Sequence, residues 1–108
     1  ISLDKIIKKI NKKISFIKID VDGHELEVLE SGIKVIKKDL PIIYIEFAPY
    51  LHKEFGYSTT KLIEFIENKI GYKIYNEDLK KMKDIRKHVK KIINSSENFF
   101  LIPKKKIN

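Results

Sequence analysis

Apolar residues change period several times along the chain, and each change marks an element. Leu3, Ile6, Ile7 and Ile10 fall at i, i+3, i+4 and i+7. That spacing predicts a short amphipathic helix over 2–11, with Ser2 as its N-cap and Asp4 in the first turn. Phe16–Val21 is an apolar run carrying a single lysine. As a strand it places Phe16, Lys18 and Asp20 on one face and Ile17, Ile19 and Val21 on the other. Gly23 permits a sharp turn. Leu26, Leu29, Ile33 and Ile36 then return to helical spacing and predict one helix from His24 to Lys38. Its acids come early (Glu25, Glu27, Glu30) and its lysines late (Lys34, Lys37, Lys38), as the helix dipole favours. Pro41–Phe47 is a second apolar strand, opened by a proline and ending in Glu46. Strand, helix and strand in about 30 residues make a βαβ unit, with parallel strands and a right-handed crossover.

Further on, Phe47–Tyr57 reads as an aromatic, proline-containing loop beyond the second strand. Its Tyr50, His52, Phe55 and Tyr57 either pack the loop down, the ordinary role, or line an acceptor pocket. Ser58 caps a predicted helix over Thr59–Lys69, whose core face is Leu62, Ile63, Phe65 and Ile66 and which Gly71 ends. Tyr72–Tyr75 is a short strand. Leu79, Met82, Ile85, Val89, Ile92 and Ile93 recur every three or four residues on a basic segment and predict another amphipathic helix. Phe99–Pro103 is a last strand, and Lys104–Asn108 a frayed tail.

Two parallel strands side by side bring Asp20, Asp22 and Glu46 to one sheet edge, where open α/β sheets bind ligands. A lysine inside a central strand is costly without a partner, so Lys18 is expected to reach toward Asp20 or Glu46. Composition narrows the classes of function. At 108 residues, 43% hydrophobic and 35% charged, the chain is one globular domain. Having no cysteine, it has no disulfide framework, thiolate nucleophile or zinc ribbon. The net charge is +8, yet Arg86 is the only arginine and the lysines are spread along the chain. That pattern speaks for solvated lysine faces and against specific nucleic-acid readout, which favours arginine. With no apolar run of membrane length and no signal segment, the expected place is cytoplasmic, without membrane partners. A start at Ile1 implies a segment of something longer.

The acidic edge admits several chemistries. Asp20-Val-Asp22-Gly23 is not a calcium loop of the EF-hand type, because glycine would be needed at the sixth position and glutamate at the twelfth, where Ser31 stands. A haloacid-dehalogenase-like phosphatase also ends a strand in D-x-D-G, with its first aspartate as nucleophile and its second as acid/base. Here His24 replaces the usual Thr or Val, and no later strand ends in Ser or Thr. A non-catalytic, lysine-rich interaction module is the alternative of a different class.

Ile17-Lys18-Ile19-Asp20-Val21-Asp22-Gly23-His24-Glu25-Leu26-Glu27-Val28-Leu29 resembles the signature of the FkbM family of S-adenosylmethionine-dependent methyltransferases. Ser2-Leu3-Asp4 resembles that family's opening, Pro41–Glu46 its P-I-I-x-I-E strand, and Asn98–Pro103 its last strand. Asp22 stands where the family more often has Glu. The resemblance implies the C-terminal half of a Rossmann-like class I methyltransferase fold: a parallel βαβ unit followed by an antiparallel strand pair. Gly23, Gly32, Gly56 and Gly71 each stand alone. The glycine-rich cofactor turn of that fold is therefore missing, and residues 1–108 form a partial domain expected to be inactive by itself. The resemblance further implies methyl transfer to a hydroxyl of a sugar or other small metabolite. Asp20 and Asp22 then lie toward S-adenosylmethionine, Asp20, Lys18 and Glu46 belong to the catalytic edge, and His24 is the candidate base. Asp20, Asp22 and Glu46 also form an all-oxygen set suited to Mg²⁺. An exposed edge, where earlier strands would pair, implies self-association.

Overall fold

The computed structural model describes residues 2–10 and 12–104. Among them the chain runs through α1 (Leu3–Ile10), β1 (Phe16–Ile19), α2 (Glu25–Ser31), α3 (Ile33–Asp39), β2 (Ile42–Phe47), α4 (Pro49–Glu54), α5 (Thr59–Glu64), β3 (Tyr72–Tyr75), α6 (Ile85–Val89) and β4 (Glu97–Pro103). The four strands form one mixed sheet in the order β1-β2-β4-β3. β1 and β2 are parallel, with Ile19 beside Ile45, whereas β4 runs antiparallel to both β2 and β3. The βαβ unit that the pattern predicts and the closing antiparallel pair that the resemblance implies are both present.

One face of the sheet is dry. Ile19, Ile43, Ile45, Phe47, Phe99, Leu101, Tyr72 and Ile74 are buried there with Leu26, Leu29 and Ile36 of α2–α3, Leu62 and Ile63 of α5, and Ile85 and Val89 of α6. The opposite face holds Phe16, Lys18, Ile42, Tyr44, Phe100 and Ile102, all of them exposed or half-exposed. Strand alternation sets this division, since each strand offers every second side chain to the helices.

Several elements depart from the pattern. The predicted 24–38 helix is two helices, broken at Gly32. A Cβ at Gly32 would lie 2.6 Å from Leu3 Cδ2, so the glycine lets α1 seat directly on the break. Ser2 accepts from the Lys5 N–H as the expected cap of α1, and Asp4 reaches across to the N–H groups of Lys34 and Val35 at the start of α3. Asn11 and the side chains of Ile7 and Ile10 lie outside the described residues.

The expected 47–57 loop contains α4, because Pro49 at the first helical position has its φ preset and no N–H to satisfy there. Ser58 caps α5 as predicted, accepting from the Lys61 N–H. The helix then widens into a π-helical turn over Phe65–Lys69 before Gly71 ends it. The long basic helix is not formed. Asn76 Oδ1 captures the N–H groups of Asp78 and Lys80, Leu79 has φ 61°, and Met82 N–H bonds back to Ile74. This side-chain-to-backbone turn competes with helix, and only Ile85–Val89 coil, capped by Asp84. Lys104 is not frayed: its N–H donates to Gly71 O and its Nζ to Glu67 O, while 105–108 lie outside the described residues.

Candidate active site

β1 and β2 end side by side, and their carboxyl ends carry the acids. Ile19 pairs with Ile45, so Asp20, one residue past β1, comes beside Glu46. The chain then turns sharply, with Asp22 at φ 49° and Gly23 at φ 99°. This turn folds the Asp22 carboxylate back toward the other two. Oxygens of Asp20, Asp22 and Glu46 lie within 4.8 Å of one another, Asp20 and Asp22 exposed and Glu46 half-buried. Glu46 is steadied from the far side by Ser96 Oγ, which donates at 3.0 Å. Three carboxylates this close repel one another, and a cation or hydroxyl donors placed among them relieve that repulsion. The edge opens on the half-exposed sheet face.

Lys18 does not behave as its sequence position suggested. β1 is an edge strand here, Lys18 is exposed, and it makes no ion pair among the described residues. With the ammonium in water there is no desolvation cost to drive it toward an acid. His24 stands at the start of α2 without capping it. Its Nδ1 lies 3.0 Å from Glu27 Oε1, and its ring packs on Phe55 at a centroid distance of 4.0 Å. The imidazole is 45% exposed, open to solvent.

Beneath the turn lies a polar chain that the sequence reading overlooked. Glu25 and His52 are fully buried, and Thr59 nearly so. His52 Nε2 is 2.8 Å from Glu25 Oε1, and His52 Nδ1 is 2.7 Å from Thr59 Oγ1. The other oxygen of Glu25 accepts from the Gly23 N–H at 3.1 Å. Tyr57 stacks on His52 and donates its hydroxyl to Gly23 O. A signal for Glu25 was available: it sits four residues before Leu29 on the stripe that α2 turns to the core. An acid on that stripe requires a buried partner. Of the four aromatic residues considered for a pocket, His52 is buried and Tyr57 half-buried, whereas Tyr50 and Phe55 remain largely exposed.

A separate cleft of about 830 Å³ lies at the opposite ends of β1 and β2, between α1 and α3. It is lined by Lys5, Lys8, Lys12, Lys13, Lys34 and Lys38, with Asp4 and Asp39. Both acids are engaged by backbone, Asp39 taking the Ile14 N–H. The lysines of this cleft are all exposed, and its lining offers no group suited to deprotonating an acceptor.

Fold and site together define an α/β domain that carries a cluster of three carboxylates at the ends of two parallel strands. The chain belongs to the FkbM methyltransferase family: the family model described as the methyltransferase FkbM domain matches residues 1–74. No curated protein and no solved structure matches it. The matched stretch takes in both acid-bearing strands and the whole Glu25–His52–Thr59 chain. It stops short of β4, although β4 occupies an inner place in the sheet. No helix among the described residues is long and apolar enough to cross a membrane.

Proposed function

We propose that this chain carries the acceptor side of an S-adenosylmethionine-dependent O-methyltransferase acting on a hydroxyl of a sugar or small metabolite. One observation carries the reading: Asp20, Asp22 and Glu46 converge at the carboxyl ends of a parallel strand pair in a chain of the FkbM family. The cofactor supplies an electrophilic methyl group on sulfur. Asp20 holds the acceptor hydroxyl in line with that methyl, and the edge takes up the proton that the hydroxyl loses. His24, exposed and at the end of the same turn, is the candidate base. The same three carboxylates offer the hard oxygen donors that Mg²⁺ prefers, and a Mg²⁺ ion there would hold the acceptor oxygen.

The adenosine end of the cofactor finds no glycine-rich cradle among the described residues. The four glycines stand singly, and the space over Gly23 is filled by Leu51 and Phe55. A glycine-rich turn and a helix N-terminus for that purpose come, on this reading, from chain outside these residues.

The test is calorimetric titration of S-adenosylmethionine into this segment and into the longest natural product that contains it. Binding only by the longer protein is expected. In that protein Asp20→Asn should lower methyl transfer by about 100-fold or more, the scale of a lost acid–base or orienting group. Failure of both proteins to bind the cofactor would overturn the reading and leave phosphatase chemistry at Asp20 and Asp22 to be assayed instead. A parallel titration with Mg²⁺, expected to weaken in the Asp22→Asn variant, tests the cation component.

A further inference from the structure

We infer that His52 is a positioning residue for the acidic edge: with Glu25 and Thr59 it clamps the Asp22–Gly23 turn to α4 and α5. The proposal rests on the acidic edge being the functional site. The bonds run without a gap from Thr59 Oγ1 to His52, from His52 to Glu25, and from Glu25 to the Gly23 N–H. They join the first residue of α5, the middle of α4, the first residue of α2 and the turn after β1. The two His52 ring nitrogens bridge Thr59 Oγ1 and a Glu25 oxygen, so every buried polar side-chain atom along the chain has a partner.

The turn is one that a clamp can hold. Asp22 and Gly23 both have positive φ, free for glycine and better tolerated by aspartate than by most side chains, so contacts with the surroundings decide how firmly the turn is kept. Both peptide groups of Gly23 are held from the same side, its N–H by Glu25 and its carbonyl by Tyr57, whose ring stacks on His52 at 5.0 Å. Core filling alone does not account for the arrangement. A buried acid–imidazole pair is no more stable than apolar side chains of the same volume, and often less. What the polar pair adds is direction: the carboxylate must point at one backbone N–H. Since Glu46 is fixed from β2 and Ser96, any movement of Gly23 alters the spacing of Asp20 and Asp22 against it.

Thr59→Val removes one hydroxyl with almost no change of volume, and Thr59→Ser restores it. Ile74→Val, in β3, serves as a core control remote from the turn. In the full-length protein, Thr59→Val and His52→Gln are expected to speed amide hydrogen exchange at Gly23 by about tenfold more than at β2 and β4 amides. Thr59→Ser should exchange like wild type, and Ile74→Val should affect all amides evenly. Methyl transfer should lose kcat in Thr59→Val, with KM for S-adenosylmethionine unchanged. Gly23 exchange that follows the core amides in both clamp variants overturns the clamp, whether or not the enzyme is active. Selective loosening of Gly23 with unchanged kcat overturns its positioning role. Absence of transfer by the wild type fails the function proposed above, while the exchange comparison still judges the clamp.

Discussion

Gly23 is the residue on which the acidic edge depends most directly. A Cβ there would lie 2.8 Å from Leu51 Cβ and equally close to two ring carbons of Phe55, at a φ that side chains avoid. Gly23→Ala therefore combines backbone strain with a clash against packed groups. It should cost about 2–4 kcal/mol of stability, measurable as a fall in the urea midpoint at unchanged slope. Tyr57, bonded to the Gly23 carbonyl, responds instead to alkali. Burial, reinforced by the charges of Glu25 and Glu27 and opposed by a backbone hydrogen bond from Leu26, raises its phenol from the ordinary 10.0 to about 12. Burial raises Tyr72 further still. A phenol whose folded pKa is raised leaves stability intact below its unfolded value and removes it as pH climbs through the folded one. Stability should hold to about pH 10 and fall between pH 10 and 12. Absorbance titration should show two of the five tyrosines ionising only as the chain unfolds; all five ionising together near pH 10 with the fold intact would refute this.

Elements were legible wherever one local rule acted alone. Strand alternation placed β1, β2 and β3 within a residue or two, and the caps at Ser2 and Ser58 stand where their side chains predicted. The acids at the strand ends could be placed for the same reason, because parallel register carries Asp20 to Glu46. Elements were misread where a contact distant in sequence decided the outcome. Periodicity carries a helix straight through Gly32, but the Leu3 side chain occupies the space a Cβ would need. Gly32→Ala should raise local helix propensity and still destabilise the protein, by about 1–2 kcal/mol, through displacement of α1. Leu3→Ala should cost less in the Gly32→Ala background than in the wild type, a coupling that a double-mutant cycle reads directly. The basic segment was misread for a local reason instead, a turn that periodicity does not register. Ile85, Val89 and Ile92 do face the core as their spacing requires, but the Asn76 turn holds the residues before them on the edge of β3.

At the scale of the molecule, the two sheet edges are unequal. The return of residues 81–82 alongside Ile74 and Tyr75 covers β3, whereas β1 has β2 on one side and no strand on the other among the described residues. Phe16 on that edge is 53% exposed. Lys18 is a partial guard against edge pairing, a role to which lysine is suited. The segment alone should self-associate through β1, and Phe16→Lys should shift it toward monomer in light scattering at matched concentrations. Wild type and variant both monomeric at high concentration would refute edge pairing. The wide distribution of lysine agrees with this geometry: the basic groups surround the lower cleft and the exposed surfaces, while the edge at the carboxyl ends of β1 and β2 is acidic.

The order of the sheet also bears on how the chain comes into being. β4, the last of these four strands to be synthesised, lies between β2 and β3, pairing Leu101 with both Ile43 and Ile74. On the ribosome, β1 and β2 can meet early, but β3 has no strand to join until residues 97–103 have left the exit tunnel. Until then one strand pair and a lone strand wait with open flanks, and the helices that should cover them have only part of a surface on which to settle. Such distant pairing slows folding and exposes the nascent chain to wrong partners. A stop codon anywhere before Glu97 would not trim this sheet but divide it.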